Sequence, residues 1–383
     1  MPWRQRLAFL DGLRGLAALY VMIGHSRWLL WEGYSEGFLK HPGEYSVFGK
    51  TMVYFLSLFT YGHEAVLFFF VLSGLVIHLK YSVKLRTDST YKFEFFPYLK
   101  KRAKRIYPPL IYSILITTLL DAAGKHLGFS IYDQITPNKS INDVVLCNTG
   151  LKTLLGNLLL LQNAWVPTWG TNGPLWSLKF EWWFYMLYPL LFFINKRSTS
   201  GSLFFVIFLY FLGLILPESV FPLFVQVCTY LLSWWIGCVV ADILTRRIRV
   251  ETRYLSLLVL VFPFLLLFGH SIPSVIVVDT FWAVGFGGFL CLLLFLQDKN
   301  VSLHYLARLK WLGDCSYTLY VTHFPFFVFF NGIILANSNN IMPKHFLFVF
   351  LGIVFAVAFA WGSHFFVELP FVRSGPKNQK QGA

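Results

Sequence analysis

The sequence predicts an all-α, polytopic membrane protein with about ten transmembrane helices, and three observations support this fold class. The chain of 383 residues is 56% hydrophobic and only 13% charged, whereas soluble domains have roughly 25% charged residues. Apolar windows long enough for a helix to cross about 30 Å of hydrocarbon recur along the whole chain. No strand pattern competes with them, and in lipid only helices and closed barrels satisfy their backbone polar groups.

Ten apolar windows, taken in chain order, define the predicted spans. They cover residues 9–30, 60–79, 106–122, 174–194, 203–216, 221–241, 255–270, 275–296, 311–331 and 346–367. Between the fifth and sixth spans LPESVFP predicts a tight hairpin, and residues 45–60 are expected to pack on the bundle as an amphipathic or interfacial helix. The transmembrane domain is therefore predicted over residues 1–370, followed by a disordered cytoplasmic tail over 371–383.

Lys and Arg residues are unevenly distributed between the two sides of the predicted bundle. Connections on the side of the amino terminus contain 23 of the 32 Lys and Arg residues, and those on the other side contain 6. Because positive residues are retained in the cytoplasm, both termini are predicted to be cytoplasmic. The net charge of +14 follows mostly from this topology, so nucleic acid is not expected as a partner. A multi-pass protein of the inner or plasma membrane is expected.

The five cysteines predict neither a disulfide framework nor a metal site, because none forms a CxxC pair or a histidine-paired ligand spacing. Four of them lie in predicted spans, where a small buried side chain is the expected role. Cys147 stands alone in an outer connection.

The first predicted helix contains three ionisable residues in the stretch LDGLRGLAALYVMIGH. Arg14 and His25 lie eleven residues apart, and at about 100° per residue both side chains leave the same helix face. Asp11 precedes Arg14 by three residues and is expected to pair with it. Ionisable groups at membrane depth usually mark a functional pathway. The alternative is an interfacial anchor for Asp11 and Arg14 and a packing role for His25.

Two further stretches place polar residues at the ends of predicted spans. GHEAVLFFFVLSG contains His63 at its outer end, where an interfacial role is the alternative, and Ser73 in a small-residue patch that allows close helix approach. YLKKRAKRIYPPL is the densest basic run in the chain. Its Arg102 and Arg105, three residues apart, are candidates to bind a phosphorylated donor, whereas topology or contact with anionic lipid is the simpler explanation. No Walker or Rossmann glycine pattern offers another nucleotide site.

A fourth stretch, NGPLWSLKFEWWFYMLYPLL, carries a polar ladder into the membrane. Ser177, Glu181 and Tyr185 recur every four residues and therefore share one helix face. A carboxylate in this setting is costly unless it is paired. Glu181 is therefore expected to pair with Arg14, His25 or an arginine of the basic run, and a purely structural ion pair is the alternative.

These stretches, in this order, resemble the acyltransferase-3 family of integral membrane acyltransferases over nearly the whole chain. Four elements of the family are matched by an arginine followed by ten residues and a histidine (Arg14 to His25), by GHEAVLFFFVLSG, by RAKRIYP, and by PLWSLKFEWWFY with Trp176. LGDCSYTLYVTHFP, with Tyr317 and His323, and FFVELP resemble its carboxy-terminal pair. Leu75 departs from the pattern, since the family commonly has phenylalanine there.

The resemblance implies transfer of an acyl group, most often acetyl, from cytoplasmic acyl-CoA as a co-substrate, with no bound cofactor. The acceptor would be a hydroxyl of a carbohydrate or lipid-linked glycan. We expect His25 to act as general base or transient acyl acceptor, oriented by Arg14 and Glu181, with Arg102 and Arg105 on the donor. The supporting pore residues would be Asp11, His63, Ser73, Trp176, Ser177, Tyr185, Tyr317 and His323.

Two other classes of function remain as alternatives. A transporter or flippase for a lipid-linked glycan would use the same buried polar residues as a path but consume no acyl-CoA. A non-catalytic sensor or scaffold would tolerate alanine at these positions. The sequence leaves the acceptor open among surface polysaccharide, lipopolysaccharide sugar, secreted oligosaccharide and a small hydrophobic metabolite.

Overall fold

Ten long helices make up most of the chain in the computed structural model, which describes residues 7–372. Residues 1–6 and 373–383 lie outside the described part, and with them most of the predicted tail. The long helices are α1 (Ala8–Leu29), α2 (Gly62–Thr87), α3 (Phe95–His126), α4 (Leu178–Arg197), α5 (Thr199–Ile215), α6 (Pro222–Leu244), α7 (Thr252–Ser271), α8 (Val275–Asp298), α9 (Ser316–Asn337) and α10 (Leu347–Val367).

Each long helix overlaps one predicted span, which confirms the all-α membrane class. Within the described residues, seven are long and apolar enough to cross a membrane, namely α2, α3, α6, α7, α8, α9 and α10. Charged residues lower the mean hydropathy of α1 and α4, and α5 has only 17 residues. The count of ten spans and the cytoplasmic placement of the termini therefore stay predictions.

The shorter predicted elements are also present. A helix over Val47–Ser57 lies within the expected 45–60 segment and buries Val53 and Leu56 while Phe48 is exposed, so it is amphipathic. The LPESVFP segment is a tight connection in which the Val220 N–H donates to the Pro217 carbonyl at 3.1 Å.

The basic run belongs to a helix, which corrects one predicted boundary. α3 begins at Phe95, not at residue 106, and its 32 residues span about 48 Å, well beyond the hydrocarbon thickness. Lys and Arg are good helix formers, so the helix continues past the end of the apolar window. Arg102 and Arg105 are consequently neighbours on one helix. Two smaller corrections are in the opposite direction: α4 and α9 begin a few residues later than predicted, each after a short helical turn.

The bundle places α1 centrally, between α2 and α9. α2 packs on α6, α9 packs on α3 and α10, and α8 joins α6 to α7. Glycines set the closest approach: a Cβ on Gly74 of α2 would lie 2.0 Å from the Trp234 carbonyl oxygen of α6, and one on Gly237 would lie 1.9 Å from the Val71 carbonyl oxygen. The small-residue patch in the second motif thus has the packing role expected of it.

A polar clasp fixes the segment that leads into α4. Asp121, at the end of α3, accepts from the backbone N–H and the hydroxyl of Thr171, both at 2.8 Å. The Asn172 side chain donates to the Val321 carbonyl of α9 at 2.8 Å. This clasp holds the helical turn Gly173–Ser177, and with it Trp176, against the middle of the bundle.

Candidate active site

Two cavities enter the bundle, and both are lined by residues that the sequence singled out. The inner cavity, named for its predicted cytoplasmic side, has a volume of about 590 Å³ and is lined by Arg14, Arg102 and Glu181. The outer cavity has a volume of about 240 Å³. Val66 of α2 and Tyr320 of α9 line both, so the two cavities meet at these side chains. The residues characteristic of the outer cavity are His25, Arg27, Trp28, His63 and Trp176.

The inner cavity is rich in basic side chains. Its cationic lining residues are Arg14, Lys101, Arg102, Lys104, Arg105 and Lys310. Fewer carboxylates line it, namely those of Asp11, Glu181 and Asp314. Arg102 lies between two aromatic rings, with its guanidinium carbon 5.5 Å from the ring centres of both Tyr98 and Tyr185. Its Nε is buried and has no partner among the described residues. A guanidinium held in this way is well suited to bind a phosphate.

Arg105, unlike Arg102, forms an ion pair among the described residues. Its Nη1 lies 2.8 Å from Glu368 Oε2, and Glu368 Oε1 also accepts from the Thr318 N–H and hydroxyl at 2.9 and 2.7 Å. The guanidinium lies 5.2 Å from the Tyr317 ring centre. The Tyr317 hydroxyl is buried without a partner among the described residues. Arg105 therefore joins α3 to α9 and the end of α10 as well as lining the cavity.

Arg14 pairs with Asp11 as predicted, at 3.2 Å. It also donates to Ser316 Oγ at 3.1 Å and to the Gly313 carbonyl at 2.9 Å. The shared face of Arg14 and His25 is confirmed, because both contact α9, at Ser316 and His323. However, Arg14 lines the inner cavity and His25 the outer one, so Arg14 does not orient His25.

The expected ion pair of Glu181 is absent, which corrects a sequence-based prediction. No cation lies within 4 Å of Glu181 among the described residues; its carboxylate accepts from Tyr185, one turn later on α4, and makes a long 3.5 Å contact with Ser73. Arg14 and Arg105 are occupied by the nearer carboxylates of Asp11 and Glu368, which explains the difference. Glu181 also makes no contact with His25.

His25 is oriented by a second histidine. Its Nδ1 lies 2.8 Å from Nε2 of His323, and the two rings stack with centres 5.1 Å apart. Nδ1 of His323 lies 2.9 Å from the Leu319 carbonyl. A carbonyl only accepts, so we assign the proton of His323 to Nδ1; His323 Nε2 then accepts from His25 Nδ1–H. This arrangement leaves a lone pair on Nε2 of His25.

His63 has a carboxylate partner that sequence reasoning missed. Its Nε2 lies 2.8 Å from Oδ2 of Asp279, which also accepts from the Tyr230 hydroxyl at 3.0 Å. The His63 ring stacks on Trp176, with centres 5.4 Å apart and planes 13° apart. Asp279 is the one carboxylate within the predicted span 275–296, a signal that the sequence contains. Tyr230 gave no such signal.

Ser177 lies in the helical turn before α4 and lines the inner cavity together with Glu181 and Tyr185, as the predicted polar ladder requires. Its hydroxyl bonds the Tyr320 hydroxyl at 2.8 Å, which fixes Tyr320 where the cavities meet. Within residues 7–372 no group of three His, Cys, Asp or Glu side chains is placed to hold a metal ion.

Comparisons with known proteins identify the family of the chain. The family model of the acyltransferase-3 family, described as an acyltransferase domain, matches residues 7–364. The chain belongs to the acyltransferase-3 family. It is similar to the acyltransferase MdmB of Streptomyces mycarofaciens, with 30% identity over 191 residues, which are 48% of this chain and 39% of that protein.

A second relative of this acyltransferase-3 protein is the O-acetyl transferase of Shigella phage Sf6. The two are 25% identical over 216 residues, which are 55% of this chain and 52% of the phage protein. The matched part thus spans about half or less of each curated relative. No solved structure shows significant similarity to the chain.

Proposed function

We propose that this membrane protein transfers an acyl group, most simply acetyl, from cytoplasmic acyl-CoA to a hydroxyl of a carbohydrate or lipid-linked glycan. The observation that carries this proposal is the pair of cavities that meet at Val66 and Tyr320, one basic and one lined by histidines and tryptophans. A donor and an acceptor entering from opposite ends would meet there. Because acyl-CoA is cytoplasmic, the membrane would be the inner or plasma membrane.

The inner cavity suits a long phosphorylated donor. Arg102 offers a guanidinium whose buried Nε has no partner among the described residues, and further basic residues line the same cavity. The pantetheine arm would then extend toward Tyr320 and carry the thioester to the meeting point. The partnerless Tyr317 hydroxyl lies along this cavity and offers a hydrogen bond to the donor.

The outer cavity suits a hydroxylated acceptor. Aromatic faces of Trp28 and Trp176 next to histidines are the kind of lining that holds a sugar ring and its hydroxyls. A hydroxyl is a weak nucleophile, so a nearby group must take its proton during attack on the thioester. His25 presents Nε2 for the reaction, either as that base or as the atom that receives the acyl group in a first step.

The experiment uses purified protein in nanodiscs with radiolabelled acetyl-CoA and a panel of glycan acceptors. We expect labelled acceptor with the wild-type protein, and no labelled acceptor with His25→Ala although the variant still binds donor. His126→Ala is the matched control, since His126 is exposed and lines neither cavity. Transfer at the wild-type rate by His25→Ala contradicts the proposal. Movement of a glycan across the membrane without acyl-CoA consumption would instead favour the flippase.

A further inference from the structure

The outer cavity contains two histidines whose partners differ in charge. His25 is hydrogen-bonded to another neutral imidazole, that of the buried His323. His63 is bonded to the carboxylate of Asp279, which is only 3% exposed. Both histidines line the same cavity of about 240 Å³. The two pairs are therefore suited to different chemical tasks.

The carboxylate makes His63 the better proton acceptor of the two. A histidine that takes a proton becomes a cation, and in a partly buried cavity a nearby negative charge stabilises this cation. Asp279 supplies one to His63, as the aspartate of a catalytic triad does for its histidine. The described residues place no carboxylate within ion-pair distance of His25 or His323.

The surroundings of His63 also fix the ring and its reactive atom. Nε2–H donates to Asp279, so the lone pair of the neutral ring is on Nδ1, which has no partner among the described residues. Trp176 stacks on the ring, and the Tyr230 hydroxyl anchors Asp279 from a third helix. A ring that is held on two sides, has one free nitrogen and lines a cavity is suited to act as a preorganised base.

We propose that His63, oriented by Asp279, takes the proton from the acceptor hydroxyl, and that His25 carries the acyl group between donor and acceptor. This inference rests on the proposed acyl transfer and divides its two steps between the two histidines. It makes His63 a catalytic residue, and Asp279 and Tyr230 positioning residues.

The first step joins the acyl group to His25. Nε2 of His25 attacks the thioester carbonyl carbon, and the carbon–sulfur bond breaks. The proton on Nδ1 of His25 moves through Nε2 of His323 to the leaving CoA thiolate, so neither histidine keeps a positive charge. The product is a neutral acyl-imidazole, which needs no buried counter-charge.

The second step transfers the acyl group to the acceptor. The hydroxyl oxygen attacks the acyl carbon while Nδ1 of His63 takes the hydroxyl proton. The bond from the acyl carbon to Nε2 of His25 breaks. His63 then releases the proton that it took, and His25 regains a proton on Nδ1, so both histidines are neutral again. The sum of both steps is acyl-CoA plus hydroxyl giving ester plus CoA.

The test separates the two steps with radiolabelled acetyl-CoA in nanodiscs. His63→Gln is expected to lower transfer to the acceptor at least 100-fold and to accumulate up to one labelled acyl group per chain. The double variant His25→Gln/His63→Gln is expected to carry no label. His126→Gln, which changes an exposed histidine outside both cavities, should match the wild type in both measurements.

The positioning residues and a rescue experiment guard against simple misfolding. Asp279→Asn should also lose transfer while keeping acyl label, and Tyr230→Phe should show the same pattern with a smaller loss; a merely structural role would lower labelling as well. His63→Ala leaves a space between Trp176 and Asp279 that free imidazole fits, so added imidazole should restore transfer.

Each remaining outcome decides against a specific claim. If the wild type transfers but His63→Gln transfers equally well, the assignment of His63 is wrong. It is also wrong if His63→Gln binds donor normally yet takes no label. The same holds if His63→Ala takes label but added imidazole does not restore its transfer to the acceptor. If the wild type consumes no acyl-CoA with any acceptor, the proposed acyl transfer itself fails, and this inference fails with it.

Discussion

His25 of α1 and His323 of α9 form a stacked, hydrogen-bonded pair with 2.8 Å between Nδ1 and Nε2. The carbonyl of Leu319 orients His323 in turn, at 2.9 Å. This chain of hydrogen bonds determines which nitrogen of His25 is available to react. A reactive atom, an adjacent base and an orienting third group within hydrogen-bond reach are the arrangement expected of an activated nucleophile or base.

Removing the partner of His25 should therefore slow transfer without weakening donor binding. We expect His323→Leu to lower the single-turnover rate of acyl transfer about 100-fold, because His25 loses its preferred tautomer and the acceptor of its Nδ1 proton. His323→Asn, which keeps a hydrogen-bond acceptor, should lose less. Equal rates for His323→Leu and the wild type would show that the pair has only a packing role.

Arg102 should contribute directly to donor affinity. A charge-assisted hydrogen bond contributes about 1.5–3 kcal/mol, so Arg102→Ala is expected to raise the KM for acyl-CoA about ten-fold or more with little change in thermal stability. Arg86→Ala is the matched control, since Arg86 is exposed on α2 and does not line the inner cavity. An unchanged KM for Arg102→Ala, measured by initial rates, would remove Arg102 from the donor site.

Arg105 should differ from its neighbour because it is half of a largely buried ion pair with Glu368. Loss of one partner of such a pair costs about 3–5 kcal/mol, since the other charge is left uncompensated. Glu368→Ala and Arg105→Ala are both expected to lower the thermal unfolding temperature in detergent, whereas Arg102→Ala is not. A stable Arg105→Ala protein would mean that the Thr318 contacts, with His364 Nδ1 at 3.8 Å, satisfy the Glu368 carboxylate.

The contact between α2 and α6 should tolerate no side chain at Gly74. A Cβ there would meet a backbone oxygen at 2.0 Å, so the helices must separate and the core at their contact must loosen. We expect Gly74→Ala to lower the unfolding temperature and the yield of folded protein. Gly62→Ala is the control for stability, because a Cβ at Gly62 would meet nothing within 4 Å. Equal unfolding temperatures for the two variants would contradict this packing argument.

The helices were predictable from sequence because hydrocarbon imposes a strong local requirement on every span. The same applies to contacts within one helix, such as the Arg14–Asp11 pair and the shared face of Arg14 and His25. The start of α3 was missed because helix formation does not stop where apolarity stops. Basic residues continue the helix beyond the membrane window.

Contacts between distant segments were not predictable in the same way. The partner of His63 lies 216 residues away in sequence, and the partner of His25 lies 298 residues away. Glu181 was expected to find a cation, but its nearest helical neighbour, Tyr185, satisfies it. Which carboxylate pairs with which cation depends on helix order and rotation, and a single sequence contains no direct signal for either.

The central claim is that donor and acceptor reach one reaction centre from opposite ends of the bundle. The most direct measurement uses sealed proteoliposomes with labelled acetyl-CoA inside and the acceptor glycan outside, and follows label on the glycan. We predict labelled glycan with the wild-type protein while CoA stays inside, and none with His25→Ala. Label that is found only when donor and acceptor share one side of the membrane would contradict the account.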